Sequence, residues 1–258
     1  MIDIETSRGD VMQGKTWRRS AAEAALIMLL VCVARTGFAA PFYVSSGSMQ
    51  PTLLIGDRML AEPFAYGYST AALPYGDRMP HGGRLFASLP LRGDIVVFRG
   101  PAEPGDTWVK RVIGLPGDHV RMQRGRLWLN GRLIDWRDEG AGREELADGN
   151  RIAAERYAET LPGGRIHPIL KRWAIGPLDD TPDVVVPAGH LFVMGDNRDN
   201  SADSRVPVSQ GGVGLLPVWN LQGRVDLLLA SRDIALPVSG VASWFSTIRP
   251  DRILRVAR

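Results

Sequence analysis

The chain has 258 residues, 45% of them apolar, so it is long enough for one large domain or two small ones with a packed core. Its formal net charge is +3, with 31 basic residues interspersed among 28 acidic ones. This balance argues against a nucleic-acid-binding protein, which needs a concentrated basic face. The single cysteine, Cys32, excludes an intramolecular disulfide and a cysteine-based zinc site.

The N-terminal region is predicted to tether the protein to a membrane. Residues 1–20 are polar and are expected to be cytoplasmic, and residues 21–40 are expected to form a transmembrane anchor. As a helix that segment would extend about 30 Å, enough to cross a bilayer, although its strictly apolar part is only residues 24–34. Basic residues precede it and none occurs at positions 36–57, so the remainder should be exported. The small residues near Ala39 leave a second interpretation open, a cleaved signal peptide.

Residues 41–258 are predicted to form a mostly β domain with an antiparallel core. Its short β-branched or apolar runs are bounded by Gly, Pro and Asp. These runs are Asp94–Phe98, Trp108–Leu115, Val184–Val186, Leu191–Met194 and Val225–Leu229. The alternating residues around Asn130-Gly131 predict a hairpin. An inserted β-rich subdomain is expected at about 120–190; within it, residues 138–182 are polar and irregular, and residues 152–161 are also compatible with a short helix.

A serine-rich turn, Ser46-Gly47-Ser48, follows the predicted anchor and leads into an apolar segment. A nucleophilic serine needs an exposed hydroxyl on a constrained turn, together with nearby donors that hold an oxyanion. This turn contains both kinds of group. Taken alone, the motif is also compatible with an ordinary loop.

Lysine is rare in this chain, since only Lys15, Lys110 and Lys171 occur among the basic residues. Lys110 lies inside an apolar strand, and strand alternation places it on the same face as Trp108 and Val112. A desolvated lysine has a lowered pKa and can act as a neutral general base, which arginine cannot do. A lysine on an edge strand that extends its amine into water is the alternative.

A dense polar loop, residues 195–205, directly follows the strand Leu191–Met194. It contains three aspartates and two arginines, the second of them its last residue, which indicates internal ion pairing rather than a metal site.

In order along the chain, these three segments resemble the signature motifs of bacterial type I signal peptidases, which are serine proteases with a Ser-Lys dyad. The segments begin at Ser46, Lys110 and Gly195, and shorter similarities lie at 64–67 and 244–258. Members of that family often have Ile-Pro before the serine turn, whereas this chain has Val44-Ser45.

The resemblance implies a role for each matching residue. Ser48 would be the nucleophile and Lys110 its general base. Ser46 and the backbone amide of Ser48 would form the oxyanion hole. Ser201 would orient Lys110, and Asp203 and Arg205 would form a supporting ion pair. We further expect Met49, Pro51 and Leu53 to form an apolar rim of the site that faces the substrate and the membrane.

The resemblance also implies the substrate and the location. The protein would cleave signal peptides from exported preproteins after small residues of the Ala-X-Ala type. It would be a single-pass protein of the bacterial inner membrane, with its catalytic domain on the periplasmic face and the lipid bilayer as a second partner. Neither a metal ion, an organic cofactor nor nucleic acid is required.

Three alternatives remain at this point. A Ser-His-Asp hydrolase could use His190, which lies near Asp196 in the sequence. A related Ser-Lys peptidase could serve a dedicated purpose, such as self-cleavage or pilin processing. An anchored periplasmic β domain could only bind a partner, in which case Ser48 would be buried and unreactive.

Overall fold

The computed structural model describes residues 17, 19–28, 30–31, 37, 39–73, 76, 79, 83–101 and 105–257. The strands are β1 (Ala40–Tyr43), β2 (Asp57–Glu62), β3 (Ile95–Arg99), β4 (Thr107–Gly114), β5 (His119–Gln123), β6 (Arg126–Leu129), β7 (Arg132–Leu133), β8 (Asp135–Glu145), β9 (Arg151–Thr160), β10 (Ile166–Lys171), β11 (Val184–Val185), β12 (His190–Met194), β13 (Leu216–Pro217), β14 (Leu221–Ser231) and β15 (Arg255–Val256). One short helix, Val241–Ser246, lies between β14 and β15. The prediction of a mostly antiparallel β fold is confirmed.

The described residues near the N-terminus, from 17 to 31, are helical. Within the described part of the chain, no helix is long and apolar enough to cross a membrane. Residues 29, 32–36 and 38 of the predicted anchor lie outside the described residues. Its last residue, Ala40, begins β1 and pairs with Ala61 of β2.

The core of the domain is an eight-stranded sheet. Its strand order is β1-β2-β14-β3-β4-β12-β13, and β15 pairs with β14. The late strand β14 therefore lies between the early strands β2 and β3. In the centre of the sheet, β3 pairs with β4 so that Val96 faces Lys110, and β4 pairs with β12 so that Arg111 faces Met194. All four of these residues are buried.

Two smaller sheets lie in the chain between β4 and β12. One has the strand order β10-β9-β8 and the other β11-β5-β6-β7. The predicted turn at Asn130-Gly131 joins β6 and β7, with φ of 52° and 75° at its two residues, as a two-residue hairpin turn requires. A second turn of this kind, Arg124-Gly125, joins β5 and β6. It was not predicted, because arginine is not a residue that favours such a turn.

The helix considered for residues 152–161 is not present. Residues Arg151–Thr160 form β9, which pairs with β8 on one side and β10 on the other. Alanine and glutamate in this segment have good helix propensity, but partners on both sides pair the backbone of the strand and override that weak preference.

Candidate active site

The serine turn lies between β1 and β2, and apolar residues fix it to the core. Met49 and Leu53 are 0% exposed and pack with Val44 against β2, β3 and β14. Leu53 N donates a hydrogen bond to Met49 O at 2.9 Å, so one turn of chain directs both side chains inward. Ser48, immediately before this turn, is 7% exposed, so the residue is largely buried, but it lines an open cavity rather than the core.

This packing contradicts the prediction of an apolar rim at Met49 and Leu53. Both side chains belong to the core cluster beneath the serine, so neither can face a membrane or a substrate. Pro51 is partly buried and lines a different cavity, together with Thr52 and Arg252. The sequence showed apolar residues at these positions but not the tight turn that directs them inward.

Lys110 lies on β4 and reaches the serine. Its Nζ is 2.7 Å from Ser48 Oγ, at hydrogen-bond distance, and its side chain is 4% exposed. Nζ is 5.5 Å from the ring centroid of Trp108, which places the two side chains on one face of the strand, as alternation predicts. The chain therefore brings together two residues that are 62 positions apart.

The environment of Lys110 favours its neutral form. Burial lowers the pKa of Lys110 from 10.5 to about 8, because a charged amine loses its hydration there. The negative charge of Asp203 opposes this shift, and the positive charge of Arg205 reinforces it. The share of molecules with a neutral amine is therefore larger near neutral pH than for an ordinary lysine, and it rises as the pH increases through about 8.

Two donors lie near the Ser48 hydroxyl. Ser46 is exposed, and its Oγ is 3.4 Å from Ser48 Oγ. Within the described residues, the amide of Ser48 donates no hydrogen bond to another residue. A hydroxyl and a backbone amide are therefore available beside the serine for an oxygen that develops negative charge.

The loop of residues 195–205 closes the site from the other side. Asn197 donates two hydrogen bonds of 3.1 Å to the serine turn, from its backbone N to Ser48 O and from Nδ2 to Gly47 O. Gly195 is tightly packed against it, because an added Cβ would lie 2.4 Å from Ser48 O and 2.3 Å from Ser201 Oγ. Only glycine fits at position 195.

The ion pair expected of Asp203 and Arg205 is present and buried. Arg205 Nε donates to Asp203 Oδ1 at 2.9 Å, and Arg205 Nη2 donates to Asp203 Oδ2 at 2.8 Å. Burial alone would raise the pKa of Asp203, but the charge and hydrogen bonds of Arg205 hold it below its ordinary value. The hydrogen bond expected between Ser201 and Lys110 is absent. The Ser201 hydroxyl is buried beside Gly195 and helps to lower the pKa of Asp203, and Lys110 Nζ bonds to Ser48 instead.

A second buried ion pair was missed by the sequence analysis. Arg111, next to Lys110 but on the opposite face of β4, binds Asp196 with two hydrogen bonds of 2.8 and 2.7 Å. Burial opposes ionisation of Asp196, yet Arg111 keeps its pKa well below the ordinary value. Thr52, four residues after the serine, also donates to Asp196. The only sign of this ion pair in the sequence is Arg111 next to Lys110. Its partner could not be identified from local patterns, because Asp196 is 85 positions away.

Three consecutive residues of the 195–205 loop bind three different strands of the inserted three-stranded sheet. The pairs are Arg198 with Glu159 of β9, Asp199 with Lys171 of β10, and Asn200 with Glu144 of β8. Lys171 also binds Asp179 at 2.6 Å, which gives that lysine a structural role. The predicted ion pairing of this loop thus extends beyond the loop itself, and the insertion supports one side of the site.

The serine and the lysine open onto a cavity of about 570 Å³. Its lining residues are Phe42, Tyr43, Val44, Ser45, Ser46, Gly47, Ser48, Met59, Asp106, Thr107, Trp108, Val109, Lys110, Asn200 and Ala202. His119, His167 and His190 do not line it, and His81 lies outside the described residues. The His190 side chain instead contacts Ala188 O at 3.1 Å. The Ser-His-Asp alternative therefore has no support from the described histidines.

The chain is similar in sequence to known proteins over most of its length. The family model described as signal peptidase, peptidase S26, matches residues 17–230. The chain is 32% identical to signal peptidase I of Rickettsia typhi over 265 residues, which covers 96% of this chain and 97% of the relative. It is 38% identical to signal peptidase I of Pseudomonas aeruginosa over 208 residues, covering 77% and 67% of the two chains. The crystal structure of a signal peptidase I from Enterococcus faecalis V583 is 24% identical, covering 53% of this chain and 97% of that chain with a TM-score of 0.31.

These sequence matches define the protein as a serine endopeptidase. The chain belongs to the signal peptidase family, peptidase S26.

Proposed function

We propose that this peptidase removes signal peptides from exported preproteins, with Ser48 as nucleophile and neutral Lys110 as general base. The observation that supports the proposal best is the 2.7 Å contact between Ser48 Oγ and Lys110 Nζ at the wall of an open cavity. In the neutral form of the lysine, the serine hydroxyl donates its hydrogen bond to the lone pair of Nζ. That arrangement is what a nucleophile and its base require.

The reaction runs in two stages. Ser48 Oγ attacks the scissile carbonyl carbon while its proton moves to Lys110 Nζ, and the resulting ammonium then protonates the leaving amine. A water molecule next attacks the acyl-enzyme ester, giving its proton to Lys110, and the proton returns to Ser48 Oγ as the ester bond breaks. The Ser46 hydroxyl and the Ser48 amide would stabilise the oxyanion formed at each attack.

The cavity supports a preference for small side chains before the cut. Phe42, Val44, Met59 and Val109 contribute apolar side chains to its wall. An apolar wall suits small apolar side chains such as alanine, so we expect Ala-X-Ala sequences to bind and large residues at the first or third position before the cut to be rejected.

Incubation of the purified protein in detergent with a preprotein tests this function. We expect one cut, with the new N-terminus directly after an Ala-X-Ala sequence. A preprotein in which the alanine before the cut is replaced by tryptophan should remain intact. Cleavage of both substrates at equal rates would contradict the proposed specificity, and cleavage of neither would contradict the proposed substrate class.

The oxyanion role of Ser46 gives a separate prediction. Ser46→Ala is expected to lower kcat by about 10²- to 10³-fold, because one transition-state donor is lost. Ser45→Ala is the matched control, since Ser45 is also exposed and lines the same cavity. Steady-state kinetics with one preprotein compares the two variants. Equal effects, or an unchanged Ser46→Ala enzyme, would exclude Ser46 from the oxyanion hole.

We also propose that residues 21–39 anchor the protein in the bacterial inner membrane, with the catalytic domain on the periplasmic face; Ala40, the last residue of the predicted anchor, instead belongs to β1. Basic residues precede the segment, and its described apolar side chains are exposed, including Ile27 at 62% and Met28 at 67%. The protein should remain with membranes after carbonate extraction, and protease added from the periplasmic side should digest its C-terminal domain. Recovery of a soluble form that begins near Pro41 would show a cleaved signal peptide instead.

A further inference from the structure

Gln50, two residues after the proposed nucleophile, is 1% exposed and takes no part in the chemistry described above. Its carboxamide makes two hydrogen bonds with the backbone of a single residue, Glu145. Gln50 Nε2 donates to Glu145 O at 2.7 Å, and Glu145 N donates to Gln50 Oε1 at 2.8 Å. The carboxamide therefore pairs with the edge of β8 as a neighbouring strand would, satisfying both backbone groups of Glu145.

Gln50 also contacts the serine turn, through both its backbone and its carboxamide. Gln50 N donates to Gly47 O at 3.1 Å, which closes the turn that contains Ser48. A Cβ added to Gly47 would lie 2.8 Å from Gln50 Nε2, so the carboxamide occupies the space directly beside the residue that precedes the serine. A change in the carboxamide therefore alters the packing of Gly47, the residue next to the nucleophile.

Glu145 is itself held in place by a residue near the C-terminus. Its Oε1 accepts a hydrogen bond of 2.6 Å from Arg249 Nη2, and Arg249 Nη1 donates to Ile55 O at 2.9 Å. The segment from Gly47 to Ile55 is thus attached to the end of β8 at one position and, through Arg249, at a second. Glu145 and Arg249 are both largely buried, so this chain of contacts is shielded from water.

We propose that Gln50 is a positioning residue that sets the Ser48 hydroxyl against Lys110 by fixing the serine turn to the end of β8. The inference rests on the proposed function, in which Ser48 is the nucleophile. A displacement of about 1 Å at a reacting atom can lower a rate by about 10²-fold. Loss of the Gln50 contacts should therefore lower kcat by roughly 10- to 100-fold, with KM within about twofold of wild type.

Two substitutions separate hydrogen bonding from packing. Gln50→Leu keeps the approximate volume but leaves both backbone groups of Glu145 without partners. Gln50→Glu keeps the shape and one acceptor, but a carboxylate cannot donate to Glu145 O. The matched control is Asn220→Ala, which removes another buried carboxamide that donates to a backbone oxygen, Arg99 O, at 3.1 Å.

The measurements are kcat and KM for one preprotein, the thermal unfolding midpoint, and the rate at which a small serine-acylating reagent labels Ser48. The labelling rate is included because a reagent of that size makes few contacts with the cavity. We expect kcat and the labelling rate to fall together in both Gln50 variants. In Asn220→Ala neither rate should fall, even if its thermal unfolding midpoint drops as much as that of the Gln50 variants. If Gln50→Leu does not fold, the same measurements on Gln50→Glu decide the question.

Other outcomes would overturn the inference. An unchanged kcat in a folded Gln50 variant would show that the contacts do not position the serine. An equal fall in Asn220→Ala would show a general effect of lost stability. If the wild-type protein labels at Ser48 but cleaves no preprotein, the proposed substrate is wrong, while the labelling rates still decide the role of Gln50.

Discussion

Replacing Ser48 by alanine is expected to abolish cleavage while the protein stays folded. Loss of a nucleophile in a serine protease costs on the order of 10⁶-fold in kcat, so the residual rate should fall below detection. The fold should persist because Met49 and Leu53, which fix the turn to the core, remain in place. Only the 2.7 Å contact with Lys110 and the weaker contact with Ser46 are lost.

Cleavage of a preprotein, followed on gels and combined with circular dichroism, measures both parts of this prediction. Ser45→Ala again serves as the control, because it removes a hydroxyl from the same cavity wall and should remain active. A Ser48→Ala protein with more than a few per cent of wild-type activity would exclude Ser48 as the nucleophile.

Replacing Lys110 by arginine is expected to be about as damaging as replacing it by alanine. Arginine retains positive charge and approximate length, but its guanidinium does not lose a proton in proteins and cannot act as a base. The buried site next to Trp108 would also have to accommodate a larger, permanently charged group. Both substitutions should reduce kcat to the level of Ser48→Ala, whereas a purely structural or electrostatic role would leave Lys110→Arg partly active.

The pH dependence gives the same hypothesis a second test. Lys110 is active when neutral, so kcat/KM of the wild type should rise with pH through about 8, the lowered pKa of Lys110, and level off above it. The histidine variants His119→Ala and His190→Ala should keep this rising limb, since neither residue lines the cavity. An active Lys110→Arg enzyme, or loss of the limb in a histidine variant, would contradict the Ser-Lys mechanism.

Local sequence patterns predicted the parts of the structure that depend on local periodicity. The alternation along β4 placed Lys110 beside Trp108, and the Asn130-Gly131 pair predicted a hairpin turn that the structure contains. The roles of Ser48 and Lys110 were assigned from the resemblance to the signal peptidase motifs. The structure adds the 2.7 Å distance between Ser48 Oγ and Lys110 Nζ and the burial of the lysine. Those roles remain predictions until the variants are measured.

Features set by distant parts of the chain could not be predicted in this way. The burial of Met49 and Leu53 depends on how the turn meets β2, β3 and β14, so an apolar composition alone suggested an exposed rim. The strand at Arg151–Thr160 is set by partners on both sides rather than by its own propensity. The contact between Gln50 and Glu145 joins residues 95 positions apart, and neither residue stands out in the sequence.

The position of β14 in the sheet constrains when the peptidase becomes active during its own synthesis. The serine turn leads into β2, and the lysine lies on β4, which pairs with β3; β14 is the strand that joins β2 to β3. A nascent chain emerges from its N-terminus, so both reactive residues leave the ribosome more than 100 residues before β14 (Leu221–Ser231) is complete. Until then the two halves of the sheet have no strand between them. An unfinished or truncated chain would therefore carry the serine and the lysine without the strand that joins the two halves of the sheet, and we expect such a chain to be inactive.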